Sequence, residues 1–334
     1  MLKGARRVMS EPVLVTGAGG VIGRHLVEAL VAAGGRVRAF VRYNGRRDAG
    51  LLSDLPRDVR REVEILFGDL RDGHAIFEAA RGVATIYHLG ALIAIPYSYV
   101  HPRETIETNV IGTLNVLEAA REHGVRRVVH TSTSEVYGTA RVVPISEEHP
   151  LQGQSPYSAS KIGADKIVES FHLSFGLPVV TVRPFNTYGP RQSARAVIPA
   201  TIVQALTQPV VRLGDLRPTR DLNYVADTVR GFLLAGTSEA AIGRTINLAN
   251  NDEISIGALA EKIIALVGRP LAIESDTSRL RPSASEVFRL HGDNRLAHEL
   301  LGWQPQIGLD EGLRRTIAWI ERNLDRYDPT RYQV

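Results

Sequence analysis

Near the start of the chain a short apolar run, Val13-Leu14-Val15-Thr16, leads without a spacer into Gly17-Ala18-Gly19-Gly20-Val21-Ile22-Gly23, then into an apolar helical pattern through Leu30. A buried strand that ends in glycines and restarts as a helix leaves few choices of fold. Gly17, Gly20 and Gly23 stand in a G-x-x-G-x-x-G spacing. Small residues let the backbone approach a pyrophosphate, and the helix start offers free N–H groups and the positive end of its dipole. A glycine trio alone marks only a tight turn; directly after a first strand it marks a dinucleotide-binding loop.

The alternation continues. Residues 37–41, 63–67, 85–88 and 128–131 read as further strands, with amphipathic stretches between them, clearest at 105–122. A long helical pattern over 157–175 precedes a strand at 179–183. Strands alternating with helices predict an α/β fold, a Rossmann-type doubly wound parallel sheet with right-handed crossovers, over residues 12–184. Beyond 184 prolines punctuate shorter elements, which predicts a smaller C-terminal substrate-binding lobe over 185–334, some of its elements returning to the sheet, and a cleft between the lobes. Residues 1–11 read as a disordered leader without the apolar stretch of a secretory signal, so a cytoplasmic protein is expected.

Composition removes several classes of function. The absence of Cys excludes a disulfide scaffold, thiolate catalysis and cysteine-ligated zinc or iron–sulfur clusters, and no metal site is expected. No apolar run approaches the ~20 residues of a membrane span. The 40 Lys+Arg and 36 Asp+Glu are spread along the chain without a basic tract, so neither nucleic acid nor membrane is an expected partner. The lysines are Lys3, Lys161, Lys166 and Lys262; every other cation is an arginine, whose planar fork suits a small phosphate-bearing ligand.

At the end of the second strand a carboxylate would bind the 2′-hydroxyl of NAD. The sequence there is Arg42-Tyr43-Asn44-Gly45-Arg46-Arg47, and the first acid is Asp48. Arg42, with Arg46 or Arg47, suits a 2′-phosphate and tilts this site toward NADP. Asp69-Leu70 follows the third strand as a candidate adenine contact.

Tyr157 and Lys161 are four residues apart at the start of the long helical pattern, so they share one helical face. A nearby ammonium lowers a phenol's pKa toward the range useful for acid–base work. Ten tyrosines and four lysines in 334 residues give about 0.1 such pairs by chance. The fifth strand ends in Thr131-Ser132-Thr133-Ser134-Glu135, and parallel-sheet enzymes place their chemistry beyond the carboxyl ends of strands. Thr133, Ser134 and Glu135 are therefore expected in the cleft with Tyr157 and Lys161.

These motifs, with His88-Leu89-Gly90-Ala91, Arg183-Pro184-Phe185-Asn186-Thr187-Tyr188-Gly189-Pro190, Arg220-Asp221, Tyr224-Val225 and Leu301-Gly302-Trp303, resemble the extended short-chain dehydrogenase/reductase family. Its members are nucleotide-sugar epimerases, dehydratases and decarboxylases, and the resemblance runs from about residue 12 to near the end of the chain. The stretches 91–99, 155–165 and 192–199 are most similar to bacterial 4,6-dehydratases acting on UDP-N-acetylglucosamine-type substrates. Gly90 stands where the family more usually has alanine.

The resemblance implies a tightly bound NAD+ or NADP+, regenerated each cycle. Its contacts would be Gly17, Gly20, Val21, Ile22, Gly23, Arg42, Asp69, Leu70, Leu89, Ala91, Thr131, Tyr157, Lys161 and Pro184. The implied substrate is a nucleoside-diphosphate sugar. Asn186 would lie near the sugar or its phosphate, Val197 near the base, Arg220 and Arg281 on the diphosphate, and Glu286 at a ribose hydroxyl. Thr133, Ser134, Glu135, Tyr157 and Lys161 form the implied catalytic set. The helices at 105–122 and 157–175 would pair with those of a second subunit in a two-fold four-helix contact, giving a homodimer.

Glu135 decides the expected reaction. A 4-epimerase has no use for a base near C5, whereas a 4,6-dehydratase must remove the C5 proton once C4 is a ketone. Ser134 stands where dTDP-glucose-type dehydratases carry Asp; GDP-mannose dehydratases and UDP-glucuronate decarboxylases resemble this Thr-Ser-Glu pattern. The expected order is therefore 4,6-dehydratase, then UDP-glucuronate-type decarboxylase with Arg191 or Arg195 as carboxylate partner, or 4-epimerase. A non-catalytic dinucleotide-binding regulator is the alternative of another class; it has no reason to keep Thr133, Glu135, Tyr157 and Lys161 together.

Overall fold

The structure is a computed structural model that describes residues 11–328. Seven parallel strands form its main sheet: Val13–Thr16, Val37–Arg42, Val63–Gly68, Thr85–His88, Arg127–Thr131, Val179–Pro184 and Thr245–Leu248. Their spatial order is seventh, sixth, fifth, fourth, first, second, third. The first strand thus lies between the second (Val13 opposite Val37) and the fourth (Val13 opposite Thr85), and the strand order reverses there. Ligands of such sheets bind beyond the carboxyl ends of the strands, at that reversal.

Side chains alternate between the two faces with the period of a strand. Leu14, Phe40, Ile86, Val128 and Val179 pack with Ile76, Val116, Leu117, Val168 and Phe171 from the helices Gly73–Ala80, Gly112–Glu122 and Pro156–Phe175. Val15, Ala39, Tyr87, Val129 and Val182 point the other way, toward Leu26, Leu30, Val229 and Phe232 of Val21–Ala32 and Val225–Thr237. Both faces are covered, which is why the strands are nearly all apolar. Each large aliphatic side chain so buried contributes about 1.5–3 kcal/mol.

The C-terminal half supplies the seventh strand and the helix Val225–Thr237 to this framework, and builds smaller strand pairs beside it. Asn186–Tyr188 runs with Leu222–Tyr224, Thr219–Arg220 with Ile254–Ser255, and Val210–Leu213 with Ala272–Ser275. Trp303 is fully buried and its indole N–H donates to the Asp227 carbonyl at 2.9 Å; the Asp227 carboxylate accepts the Ile307 amide at 2.9 Å. The late Leu-Gly-Trp segment is therefore anchored to a helix of the main sheet. Of the leader expected over 1–11, only Glu11 lies within the described residues, where it pairs with Arg126 at 2.5 Å.

One expected helix is divided. Residues 105–122 read as a continuous amphipathic stretch, but the chain forms Pro102–Ile106, a wider π turn at Glu107–Ile111, and Gly112–Glu122. Pro102 sits at a first-turn position, where its missing N–H costs nothing. A periodicity count assumes 3.6 residues per turn and does not register a wider turn.

Glycine is required where the first strand meets its helix. A Cβ on Gly23 would meet the Gly17 carbonyl oxygen and lie 2.8 Å from the Ala18 Cα, both backbone. Gly23→Ala is expected to destabilise the fold by about 1–3 kcal/mol in denaturant titration. Gly45→Ala, at a position with open space around it, should stay within about 0.5 kcal/mol of the parent.

Candidate active site

The helix Pro156–Phe175 is fixed at its start by a capping box. The Ser155 hydroxyl accepts the Ser158 amide at 3.1 Å, the Ser158 hydroxyl accepts the Ser155 amide at 3.0 Å, and Pro156 occupies the first turn. This places Tyr157, Lys161 and Asp165 one above another, a turn apart, all buried. The spacing that marks Tyr157 and Lys161 extends to Asp165, which the sequence reading did not single out.

Asp165 is held from three sides. It accepts the His130 Nε2–H at 3.1 Å, the Ser132 hydroxyl at 2.7 Å and the Arg183 guanidinium at 2.9 Å. Arg183 also donates to the Tyr137 hydroxyl at 2.9 Å, and Tyr137 donates to the Asn247 amide oxygen at 2.8 Å. His130 and Arg183 lie on the fifth and sixth strands, and Asn247 stands opposite Arg183 on the seventh. Burial alone would raise the Asp165 pKa, but His130, Arg183 and Lys161 outweigh it and draw it down to about 2. Burial, with the Lys161 charge, lowers His130 to about 4, so the imidazole is neutral at physiological pH. Burial also lowers Lys161 to about 8, with Asp165 opposing.

Thr133 closes the site above this platform. It caps the turn Ser134–Tyr137, accepting the Glu135 amide at 3.2 Å, and its hydroxyl hydrogen-bonds Tyr157. Burial raises the Tyr157 pKa; the Thr133 bond lowers it, and the charges of Glu135 and Asp165 raise it again. The lowering expected from Lys161 is not seen: burial dominates, and the one group that lowers the phenol is Thr133. Glu135 is half-buried and its carboxylate acts on the phenol through space, while Ser134 is buried.

His88 joins the first and fourth strands. Its Nδ1 lies 2.7 Å from the Thr16 hydroxyl and its Nε2 3.0 Å from that of Thr113, which itself donates to the Asn109 carbonyl at 2.6 Å. With the Thr113 proton committed, Nε2 must donate and Nδ1 must accept from Thr16, whose oxygen takes the Gly90 amide at 3.1 Å. Burial keeps His88 neutral, consistent with this tautomer. Asn109, on the π turn, bonds both the amide and the carbonyl of Leu92, at 2.8 and 2.9 Å, and donates to Ser160 at 2.9 Å. It thereby ties the loop after the fourth strand to the helix Pro156–Phe175. The sequence reading missed Asn109 because the π turn breaks the helical pattern around it; such turns recur at functional sites.

Residues expected at the cofactor converge on one rim. Gly20 caps the helix Val21–Ala32 without a side-chain hydrogen bond, and no acid lies in the first turn, so the amides near Val21, Ile22 and Gly23 remain for an anion. Gly17 adopts φ +68°, and a Cβ there would lie 2.7 Å from the Gly90 nitrogen. A methyl on Gly90 would in turn lie 2.8 Å from Leu70 Cδ1 and 3.2 Å from the Thr16 hydroxyl, which accounts for glycine in place of the family's alanine. Leu89 packs on the core, Ala91 is half-buried, Pro184 ends the sixth strand, and the Thr131 hydroxyl is buried without a protein partner. A close-approach cradle, an uncapped helix start and an orphaned hydroxyl fit a dinucleotide. Asp69 is gripped by Arg71 through bonds of 3.0 and 2.7 Å, and Arg42 is 3.0 Å from Glu104.

Across the cleft Arg220 is buried. It donates to the Val287 carbonyl at 2.8 Å and to Glu286 at 3.1 Å, and Arg281 approaches the same carboxylate at 3.6 Å. The structure thus brings Arg220, Arg281 and Glu286 together, with Glu286 balancing both cations. The Asn186 side-chain NH2 is buried and has no partner, a donor suited to a ligand oxygen. Val197 begins the helix Val197–Thr207 and is half-buried. Arg191 lies over the Trp319 ring, 5.4 Å from its centroid, and Arg195 is exposed.

Residues 14–316 match the model of the family described as GDP-mannose 4,6 dehydratase. The chain belongs to this family. It is 36% identical to a UDP-glucose 4-epimerase of Mycolicibacterium smegmatis, over 92% of this chain and 97% of that protein. It is 32% identical to UDP-glucuronic acid decarboxylase 1 of Xenopus tropicalis, over 96% and 74%. Its fold superimposes on the dTDP-glucose 4,6-dehydratase DesIV of Streptomyces venezuelae, solved with NAD bound, at a TM-score of 0.86, 29% identity, and 96% and 100% coverage. The protein is an enzyme of the extended short-chain dehydrogenase/reductase group of NAD-dependent nucleotide-sugar dehydratases and epimerases. Among the described residues no helix is long and apolar enough to cross a membrane.

Lys161 gives a test of the site's electrostatics. Its folded pKa, about 8, lies below the ordinary 10.5, so the folded chain bears a desolvated charge below pH 8 and loses it near pH 8, while the unfolded chain keeps its charge up to about 10.5; the cost is full below pH 8 and is relieved across that window. Lys161→Met should be inactive yet melt at least as high as the parent at pH 7, and that advantage should shrink as pH rises from 8 toward 10.5. Melting curves across that range check it.

Proposed function

We propose that the enzyme is a nucleotide-sugar 4,6-dehydratase acting on a UDP-N-acetylglucosamine-type substrate and releasing a 4-keto-6-deoxy sugar nucleotide. The observation that carries this reading is the half-buried Glu135 on the Thr133-capped turn, whose carboxylate charge reaches the phenol of Tyr157. Simple epimerisation at C4 has no task for that carboxylate.

A bound nicotinamide supplies the hydride acceptor and donor. The chain's residues do the rest. Tyr157 takes the proton of the 4-hydroxyl as C4 is oxidised, with Thr133 orienting the phenol and Lys161 stabilising the phenolate. The 4-ketone acidifies C5–H, and Glu135 takes that proton. The C6–O bond breaks, and Glu135 returns a proton so that water leaves. Ser134 is a poor acid, which assigns this protonation to Glu135. Return of hydride to C6, with a proton reaching C5 from solvent as Tyr157 gives up the one it took, would complete a cycle whose net change is loss of one water.

Asn186, Arg220 and Arg281 would hold the sugar and diphosphate, with Glu286 exchanging its arginine contacts for a ribose hydroxyl and Val197 near the base. Exposed Ile106, Ile111, Leu173 and Phe175 on the helices that flank this site support the homodimer by a four-helix contact. The reading places the enzyme in the cytoplasm. A UDP-glucuronate-type decarboxylase is the second reading, favoured by the Xenopus relative; it needs a cation for the substrate carboxylate, and Arg191 and Arg195 are the candidates.

Incubation with UDP-N-acetylglucosamine in D2O should give dehydrated product carrying deuterium at C5. Dehydrated product without label would contradict the proton transfer, and loss of CO2 from UDP-glucuronate instead would select the second reading. Glu135→Gln should lower dehydration by about 10²–10⁴-fold, the range of a lost acid–base catalyst, while C4 oxidation, read as absorbance at 340 nm, persists. Tyr157→Phe should abolish that absorbance change as well.

A further inference from the structure

Arg42 ends the second strand, where the adenosine ribose of a dinucleotide lies in this kind of sheet. Taken alone it suits a 2′-phosphate. In the folded chain it is not alone. Glu104, 62 residues further on in the short helix Pro102–Ile106, stands with its carboxylate 3.0 Å from the Arg42 guanidinium. That carboxylate is held independently of Arg42, because its second oxygen accepts the Tyr97 hydroxyl at 2.6 Å. Tyr97 is itself braced by the His101 ring, 4.4 Å between centroids.

The neighbouring charges repeat the pattern. Gly68 lies opposite Arg42 in the register of the second and third strands, so Asp69 emerges beside it. Asp69 is clamped by both arms of Arg71, and Arg71 also faces Glu107 at 3.9 Å. Arg47, further along the same loop, lies over the Phe67 ring, 5.3 Å from its centroid. At this corner Arg42, Arg71 and Arg103 therefore face Glu104, Asp69 and Glu107, so each cation already has a carboxylate opposite it. A ribose with free hydroxyls can be accommodated there; a dianionic phosphate would add charge to carboxylates already in place.

We infer that Glu104, oriented by Tyr97, is the cofactor-specificity residue of this enzyme: it cancels Arg42 and supplies, from the short helix Pro102–Ile106, the discriminating carboxylate absent from the end of the second strand, so that the site takes the dinucleotide with a free 2′-hydroxyl and rejects its 2′-phosphate. This rests on the dinucleotide-binding reading of the glycine loop and goes beyond it by naming the residue that chooses between the two cofactors.

The test is equilibrium binding of NAD and NADP, each titrated by calorimetry into the full-length chain freed of nucleotide, for the parent, Glu104→Gln and Tyr97→Phe, with melting curves to confirm folding. The parent should bind NAD more tightly than NADP. Glu104→Gln should narrow the ratio by about tenfold or more, chiefly by tightening NADP, since it frees Arg42 and removes one repelling charge. Tyr97→Phe, which keeps the charge but releases its orientation, should narrow the ratio by less. Raising the salt concentration should narrow the parent's ratio by screening the repulsion, and should weaken NADP binding to Glu104→Gln, where the freed Arg42 attracts the phosphate. A parent that prefers NADP, or a ratio unmoved in folded Glu104→Gln, overturns the inference while leaving the dinucleotide reading intact. Failure of the parent to bind either dinucleotide overturns both.

Discussion

A carboxylate buried at the centre of the protein, Asp165, holds the site and the sheet together. An ionised group in such a place is tolerated only when its oxygens are fully engaged, and here they take bonds from an imidazole, a hydroxyl and a guanidinium. Removing one partner of such an arrangement typically costs about 3–5 kcal/mol, because the remaining charge is left desolvated. The donors come from the fifth and sixth strands and the segment just after the fifth, so helix and sheet can seat in only one way. Lys161 and Tyr157 lie one and two turns away on the same helix. Their placement is a consequence of how Asp165 is satisfied, and the Lys161 ammonium is tolerated partly because Asp165 opposes its desolvation.

A second set of bonds carries this order to the cofactor side. His88 reads the positions of Thr16 and Thr113 at once, and Thr16 passes the constraint to Gly90. Asn109 then connects the same loop to Ser160, next to Lys161. The glycine loop, the loop after the fourth strand and the helix Pro156–Phe175 are thus one hydrogen-bonded unit. Backbone contact with Gly90 leaves no room for a methyl group on Gly17, so the turn after the first strand is pressed against the loop after the fourth.

What could be read in the sequence is what is encoded locally. The first strand and its glycine loop are contiguous, and the Tyr157–Lys161 pair is visible through a spacing of one helical turn. The strands were legible because both sheet faces are buried and the runs are correspondingly apolar. The partners of Asp165 were not, since His130, Ser132 and Arg183 meet it only after three chain segments have folded. Asn109 was concealed by a turn of unusual width, and the lowered Tyr157 pKa expected from Lys161 gave way to burial, which a sequence does not display. Glu104 is the clearest case: the arginine at the end of the second strand was visible, but the carboxylate that faces it is supplied by a helix 62 residues away.

The reaction turns on where a single hydrogen goes. A sugar nucleotide labelled with deuterium at C4 can be converted by the enzyme and the product's label located by NMR. Elimination assisted by Glu135, with the hydride carried from C4 and delivered to the carbon that has lost its hydroxyl, places the deuterium at C6 of a 4-keto-6-deoxy product. Deuterium found again at C4, in a product that has kept its oxygen, would mean that Glu135 removes no proton and that the enzyme is an epimerase.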